Sequence, residues 1–119
     1  RAALPDTQIV AVCGDGSFQM SLMELATMRQ WNLPIKFVIM RNGYLGLVRE
    51  YQHHTYHDRY SGVSLDGSPD FEKIADAYGL DYFHLEHNDE MEQRIDEFLA
   101  CEHAAMMVCE VYSFDLVKE

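Results

Sequence analysis

The sequence predicts an α/β fold: a three-layer parallel sheet with helices on both faces. Two observations carry it. Short apolar runs of strand length, such as 9–13, 35–40 and 106–112, alternate with segments of helical periodicity. The first run, helix and second run also fit within about thirty residues, the length of a right-handed βαβ unit.

Ile9-Val10-Ala11-Val12-Cys13 is continuously apolar, as expected of a strand covered on both faces, and it ends at Gly14-Asp15-Gly16. Ser21 with Glu24 three residues later forms a capping-box pattern, which predicts a helix from Ser21 to about Trp31 with Leu22, Leu25 and Ala26 facing inward. Asn32-Leu33-Pro34 stops it, and Ile35 to Met40 reads as a second strand. A short helix is expected over about 45–52, then an irregular loop over 53–67 broken by Gly62 and Gly67. Ser68 is the expected N-cap of a helix carrying Phe71, Ile74, Ala75 and Tyr78 on one face and closed by Gly79. Tyr82 to Leu85 is a third strand. Asp89 and Glu92 are expected to cap a helix with Met91, Ile95, Phe98 and Leu99 inward, before a fourth strand over Met106–Tyr112. No linker or repeat divides the chain, so residues 1–119 form one domain.

The 119 residues carry a formal charge of −11, unevenly placed. Residues 1–60 sum to +1 and residues 61–119 to −12. An acidic chain is a poor partner for nucleic acid and for anionic membranes, and no apolar run approaches the roughly 20 residues of a membrane span. Cys13, Cys101 and Cys109 show no CxxC spacing, which fits free thiols in a reducing, cytoplasmic setting. The start, Arg1-Ala2-Ala3-Leu4-Pro5, has neither an initiator Met nor a signal-peptide core, and the chain reads as an excerpt truncated at both ends.

In open parallel sheets ligands gather beyond the carboxyl ends of the strands, where Asp15 and Asn42 both fall. Glycines on either side of Asp15 let backbone amides approach an anion, and the next helix N-terminus favours a diphosphate. A carboxylate and an amide oxygen suit Mg2+, which takes hard oxygen ligands and shares them with phosphate. Each dipeptide alone, Asp15-Gly16 or Asn42-Gly43, is better explained as a turn. The glycines lack the Lys of a Walker loop and the spacing of a GxGxxG fingerprint.

Together they match a family signature. Gly14-Asp15-Gly16-Ser17 with Asn42 placed 27 residues after Asp15 resembles the thiamine-diphosphate motif that opens GDG and closes on Asn. Arg41 stands where the family often has a first Asn. The runs GDGSFQMSLMELA (14–26), NLPIK (32–36), NGYLGLV (42–48), RYS (59–61) and PDF (69–71) are similar to acetolactate synthase (acetohydroxyacid synthase) catalytic subunits.

That resemblance implies a C-terminal diphosphate-binding domain with Mg2+ on Asp15, Asn42 and the carbonyl of Tyr44. It places the cofactor's diphosphate on the Gly14 loop and on amides near Gly16, Ser17, Leu45 and Gly46. The implied reaction decarboxylates pyruvate and condenses the resulting enamine with a second 2-oxo acid, in branched-chain amino-acid biosynthesis. Implied too are a homodimer or tetramer, a possible regulatory small subunit, and FAD in a middle domain outside these residues. The family's activating glutamate belongs to a different domain of a partner subunit, so no catalytic residue is expected here and the fragment alone should be inactive. Tyr51 stands where the family often has a Trp that sets second-substrate preference, and is the candidate specificity residue.

Alternatives are another thiamine-diphosphate-dependent 2-oxo acid decarboxylase or oxidase and, more remotely, a non-catalytic phosphate-binding α/β module. The latter would need no glycine on both sides of Asp15. His53, His54 and His57 lack an HExxH pattern, so no dedicated zinc site is expected there. Arg49 and Arg59 could meet a substrate carboxylate, but a surface position is the commoner outcome and is expected for both. Met20, Met23, Met28, Met40, Met106 and Met107 are expected to fill the core.

Overall fold

A computed structural model describes residues 6–113. Four strands, β1 (Val10–Gly14), β2 (Lys36–Arg41), β3 (Asp81–Leu85) and β4 (Ala105–Glu110), form one parallel sheet in the order β1-β2-β4-β3. Five helices connect them: α1 (Asp15–Met20), α2 (Glu24–Gln30), α3 (Gly46–Tyr56), α4 (Phe71–Tyr78) and α5 (Met91–Ala100). The predicted α/β class and parallel sheet are therefore what the chain adopts.

The alternation of β4 shows how the layers divide. Met106 and Val108 point into a core with Phe18, Leu25, Met28, Ile39, Phe71 and Ala75, which come from β2 and the helices α1, α2 and α4. Ala105, Met107 and Cys109 point the other way, onto Phe98 of α5 and Leu85. Helices thus lie on both faces, but unequally. On the second face α5 covers the β3–β4 side alone, and Val10, Val12 and Met40 are exposed beyond it, Val12 at 66%. Among the described residues the apolar run of β1 is covered on one face rather than two. A groove of about 760 Å³ runs along this open side, lined by Val38, Met40, Ile95 and Phe98, and does not include Asp15 or Asn42.

Several boundaries differ from expectation for local reasons. The first helix begins at Asp15, not Ser21, because Gly14 turns straight from extended backbone into α1. Ser21 is the C-cap of that helix, and its carbonyl, not its hydroxyl, meets Glu24 N at 3.0 Å. With α2 rotated accordingly, Leu25 and Met28 are buried, Leu22 is partly buried and Ala26 is exposed. Helix α3 runs on to Tyr56, shortening the expected loop, and ends where His57 and Asp58 take left-handed φ of 51° and 64°. His57 therefore lies off the helix and does not share a face with His53.

Asp70, not Ser68, caps α4: its Oδ1 accepts from Lys73 N at 3.2 Å. Gly79 closes that helix at φ 70°, as its position predicts. A 3-10 turn, Asn88–Glu90, leads into α5 with Glu90 at the N-cap and no side-chain capping bond, so neither Asp89 nor Glu92 caps it. Only Ile95 and Phe98 of the predicted stripe turn inward; Met91 and Leu99 are exposed. The last strand ends at Glu110, short of Tyr112. Met28, Met106 and Met107 fill the core, whereas Met20, Met23 and Met40 are exposed.

Candidate functional site

Asp15 and Asn42 come together at the carboxyl ends of adjacent strands. Parallel pairing sets Gly14 opposite Met40, so the residues that follow each strand emerge side by side. Asp15 enters the first turn of α1 and is 1% exposed. Its Oδ1 accepts the Gly16 amide at 3.1 Å and its Oδ2 the Gly43 amide at 3.0 Å, which ties α1 to the turn after β2. Among the described residues no ion pair involves Asp15.

The turn after β2 is equally ordered. Gly43 has φ 74°, a conformation glycine takes without strain. Asn42 Oδ1 accepts the Tyr44 amide at 3.0 Å. Residues 43–45 pair antiparallel with 63–65, Leu45 N donating to Val63 O and Leu65 N to Gly43 O, both at 2.9 Å. Tyr44 itself makes neither bond of that pairing, and its amide turns to Asn42 instead. The Asp15 carboxylate, the Asn42 amide oxygen and the backbone of 43–44 thus belong to one connected corner.

Two helices begin at this corner, α1 after β1 and α3 after the Asn42 turn, and α3 is long enough at 11 residues for a useful dipole at its N-terminus. Side-chain ends approach both helix-start glycines. A Cβ on Gly16 would stand 2.8 Å from Leu45 Cδ2, and one on Gly46 3.3 Å from Asn42 Nδ2. Of the four amides expected to meet a diphosphate, two are engaged within the protein: Gly16 by Asp15, and Leu45 by Val63. Ser17 and Gly46 remain as the first-turn candidates. Ser17 is exposed beside them.

The donor set fits the expected group. A carboxylate has roughly four acceptor sites and Asp15 uses two, so a cation can be added without breaking an existing bond. A buried anion without an ionic partner is costly, and a divalent ion relieves it. The oxygens on offer are hard, as Mg2+ requires.

Other residues are placed less directly. Tyr51 is 58% exposed on α3 and meets Tyr56 edge-on at 5.9 Å; among the described residues no contact links its side chain to Asp15 or Asn42. Arg59 is at the surface, but Arg49 is not: at 5% exposed, its guanidinium lies 4.1 Å above the Tyr44 ring and 5.3 Å from that of Tyr60, and donates to the Ser113 carbonyl. Sequence reading also missed Gln19, whose Nε2 donates to the Asp15 carbonyl at 3.2 Å and to Ser68 Oγ at 3.1 Å. It missed the cluster in which Asp58 accepts from Tyr60 at 2.6 Å and meets His53 Nδ1 at 2.5 Å. Those bonds hold the Asp58 carboxyl below the usual carboxylate range and push the Tyr60 phenol up. His53 lies on α3 whereas Asp58 and Tyr60 follow the left-handed turn that ends it, so no single period signals the cluster.

The thiamine pyrophosphate enzyme C-terminal TPP binding domain model matches residues 1–111. An acetolactate synthase of Arthrospira platensis is 38% identical over 112 residues, 93% of this chain and 19% of that protein. In Escherichia coli (strain K12), the acetolactate synthase isozyme 3 large subunit is 39% identical over 99 residues, 83% of this chain and 17% of that protein. The isozyme 2 large subunit is 37% identical over 99 residues, covering 83% and 18%. The chain spans less than a fifth of the length of these relatives. It belongs to the thiamine pyrophosphate enzyme family, within the C-terminal TPP binding domain of acetolactate synthase-like members.

Proposed function

We propose that this chain anchors thiamine diphosphate through Mg2+ in an acetolactate synthase that joins pyruvate to a second 2-oxo acid. One observation carries the site: a carboxylate buried at a strand's carboxyl end, bonded across to the turn that holds Asn42, with no ionic partner among the described residues. In this reading Asp15, Asn42 and the Tyr44 carbonyl hold the metal, while Ser17 and Gly46 amides receive the diphosphate with the help of the α3 dipole. Bound thiamine diphosphate supplies the carbanion chemistry of 2-oxo acid decarboxylation. The protein's part is to fix the diphosphate end against two helix starts and to supply a preformed metal corner, so that the reactive ring is held in one orientation.

The names of the relatives support the synthase over other 2-oxo acid enzymes, and "large subunit" in several supports a small regulatory partner. A homodimer or tetramer, FAD elsewhere in the parent protein, a role of Tyr51 in choosing the second substrate, and a cytoplasmic setting for three free thiols complete the proposal.

Calorimetric titration of the chain with thiamine diphosphate tests the anchor. Binding is expected with Mg2+ and to be lost with EDTA, and Asp15→Asn should weaken it at least about ten-fold, the smaller end of what losing even an outer-shell partner of a metal costs. Unchanged affinity in Asp15→Asn would show the metal assignment to be wrong. For the reaction, the parent polypeptide given pyruvate, thiamine diphosphate and Mg2+ should yield acetolactate. Acetaldehyde or acetyl phosphate as product would assign it instead to the decarboxylases or oxidases.

A further inference from the structure

At the opposite end of the sheet from Asp15, three side chains of different chemistry converge. Asp81 is the first residue of β3, Cys101 is the C-cap of α5, and His103 lies in the turn before β4. The Cys101 thiol donates to Asp81 Oδ2 at 3.0 Å, and His103 Nδ1 stands 3.3 Å from the same oxygen. Sulfur, nitrogen and oxygen all lie within 4.8 Å of one another. We propose that Asp81, Cys101 and His103 form a binding site for a borderline-soft divalent cation of the Zn2+ type.

The distances suit it. Zinc bonds of about 2.0–2.3 Å at a tetrahedral angle separate neighbouring ligand atoms by roughly 3.3–3.7 Å, so small rotations of three side chains are enough. The donor set also discriminates: a thiolate with an imidazole favours Zn2+, Co2+ or Cu+ over Mg2+ and Ca2+. Three protein ligands leave a fourth position for water, and with His103 and Asp81 largely exposed an ion has a way in.

The backbone beneath is fixed. Asp81 N donates to Ala104 O at 3.0 Å, and the buried Lys36 ammonium donates to the Cys101 carbonyl at 2.5 Å, holding the α5 C-terminus against β2. The same ammonium repels a dication, which limits affinity, while the negative charges of thiolate and carboxylate attract it. Binding is a ligand exchange without redox change: metal–sulfur, metal–nitrogen and metal–oxygen bonds replace metal–water bonds, and the thiol proton passes to solvent.

Co2+ is the probe. Titrated into the reduced, EDTA-treated chain, one equivalent should produce near-ultraviolet thiolate-to-cobalt absorption, displaced by Zn2+ and not by excess Mg2+. The Asp15 corner offers only oxygen and gives no such band. Cys101→Ser should abolish the band with unchanged circular dichroism, and His103→Ala, at an exposed position, should weaken Co2+ binding by more than the roughly 10–100-fold cost of losing an outer-shell partner. No band, a band that survives in Cys101→Ser, or unchanged affinity in His103→Ala would each overturn the site.

Discussion

Asp70 shows how one side chain can hold a local structure and report on it. Its carboxylate accepts the Lys73 amide at the start of α4 and pairs with the Lys73 ammonium at 3.1 Å. The Lys73 side chain first, and its amide second, pull the Asp70 pKa below the ordinary value. A lowered folded pKa means the stabilisation is fully present above the unfolded value, about 3.9, and is lost as pH falls through the folded one. Asp70→Ala should therefore lower Tm at neutral pH, and its difference from wild type should shrink toward zero at strongly acidic pH. A difference independent of pH would mean that the cap acts without its charge. Ser68 was the expected cap; its Oγ instead accepts from Gln19, and the helix starts two residues later. That Asp15 and Asn42 fall at neighbouring strand ends was legible, because each follows an apolar run of strand length in a parallel βαβ unit. Arg49 was not, since its burial depends on Tyr44 and Tyr60 folding over it from two different segments.

At the scale of elements, periodicity identified every strand and most helices, while ends were misplaced wherever backbone turns replaced side-chain caps. Ser21 and Asp89 are such cases. Gly79 was read correctly because its requirement is purely local: φ is 70° and nothing lies within 4 Å of where a Cβ would stand. Gly79→Ala should consequently cost about 1 kcal/mol through backbone strain alone, and Gly79→Asn less. Equal stability of all three, by urea denaturation, would show that α4 ends without needing a left-handed residue. Helix α5 depends on packing instead. Only Phe98 is fully buried on it, 5.6 Å edge-on to Phe83 and against Met107 and Cys109. Phe98→Ala should cost roughly 3–5 kcal/mol, and amide exchange should then speed up in α5 before it does in α2. Loss confined to α2 and α4 would contradict the division into two cores.

For the whole molecule, charge is the property the sequence announces and the fold does little to relieve. The total is −11, with −12 on residues 61–119, which build α4, β3, α5 and β4. Lys and Arg pairs made by these residues, Arg94 with Glu90 and Glu97, Lys73 with Asp70, and Glu110 with Arg41 of β2, are solvent-exposed and worth about 0–1 kcal/mol each. Salt weakens these contacts slightly, but it also weakens the repulsion among the excess acids, and the two effects oppose each other. Range decides between them. The Cα radius of gyration is 15.8 Å, while the screening length is about 30 Å at 0.01 M salt and about 10 Å at 0.1 M. At the lower concentration the acids of α4 and α5 repel across the whole fold; at the higher they do not, whereas pairs 3–4 Å apart still attract. Net repulsion should therefore dominate, and Tm should rise between 0.01 and 0.1 M NaCl and level off above that. A Tm that falls with NaCl would show instead that the short ion pairs outweigh the net charge. MgCl2 compared with NaCl at equal ionic strength separates screening from site binding: any further rise with Mg2+ and thiamine diphosphate together should disappear in Asp15→Asn, while the NaCl response remains.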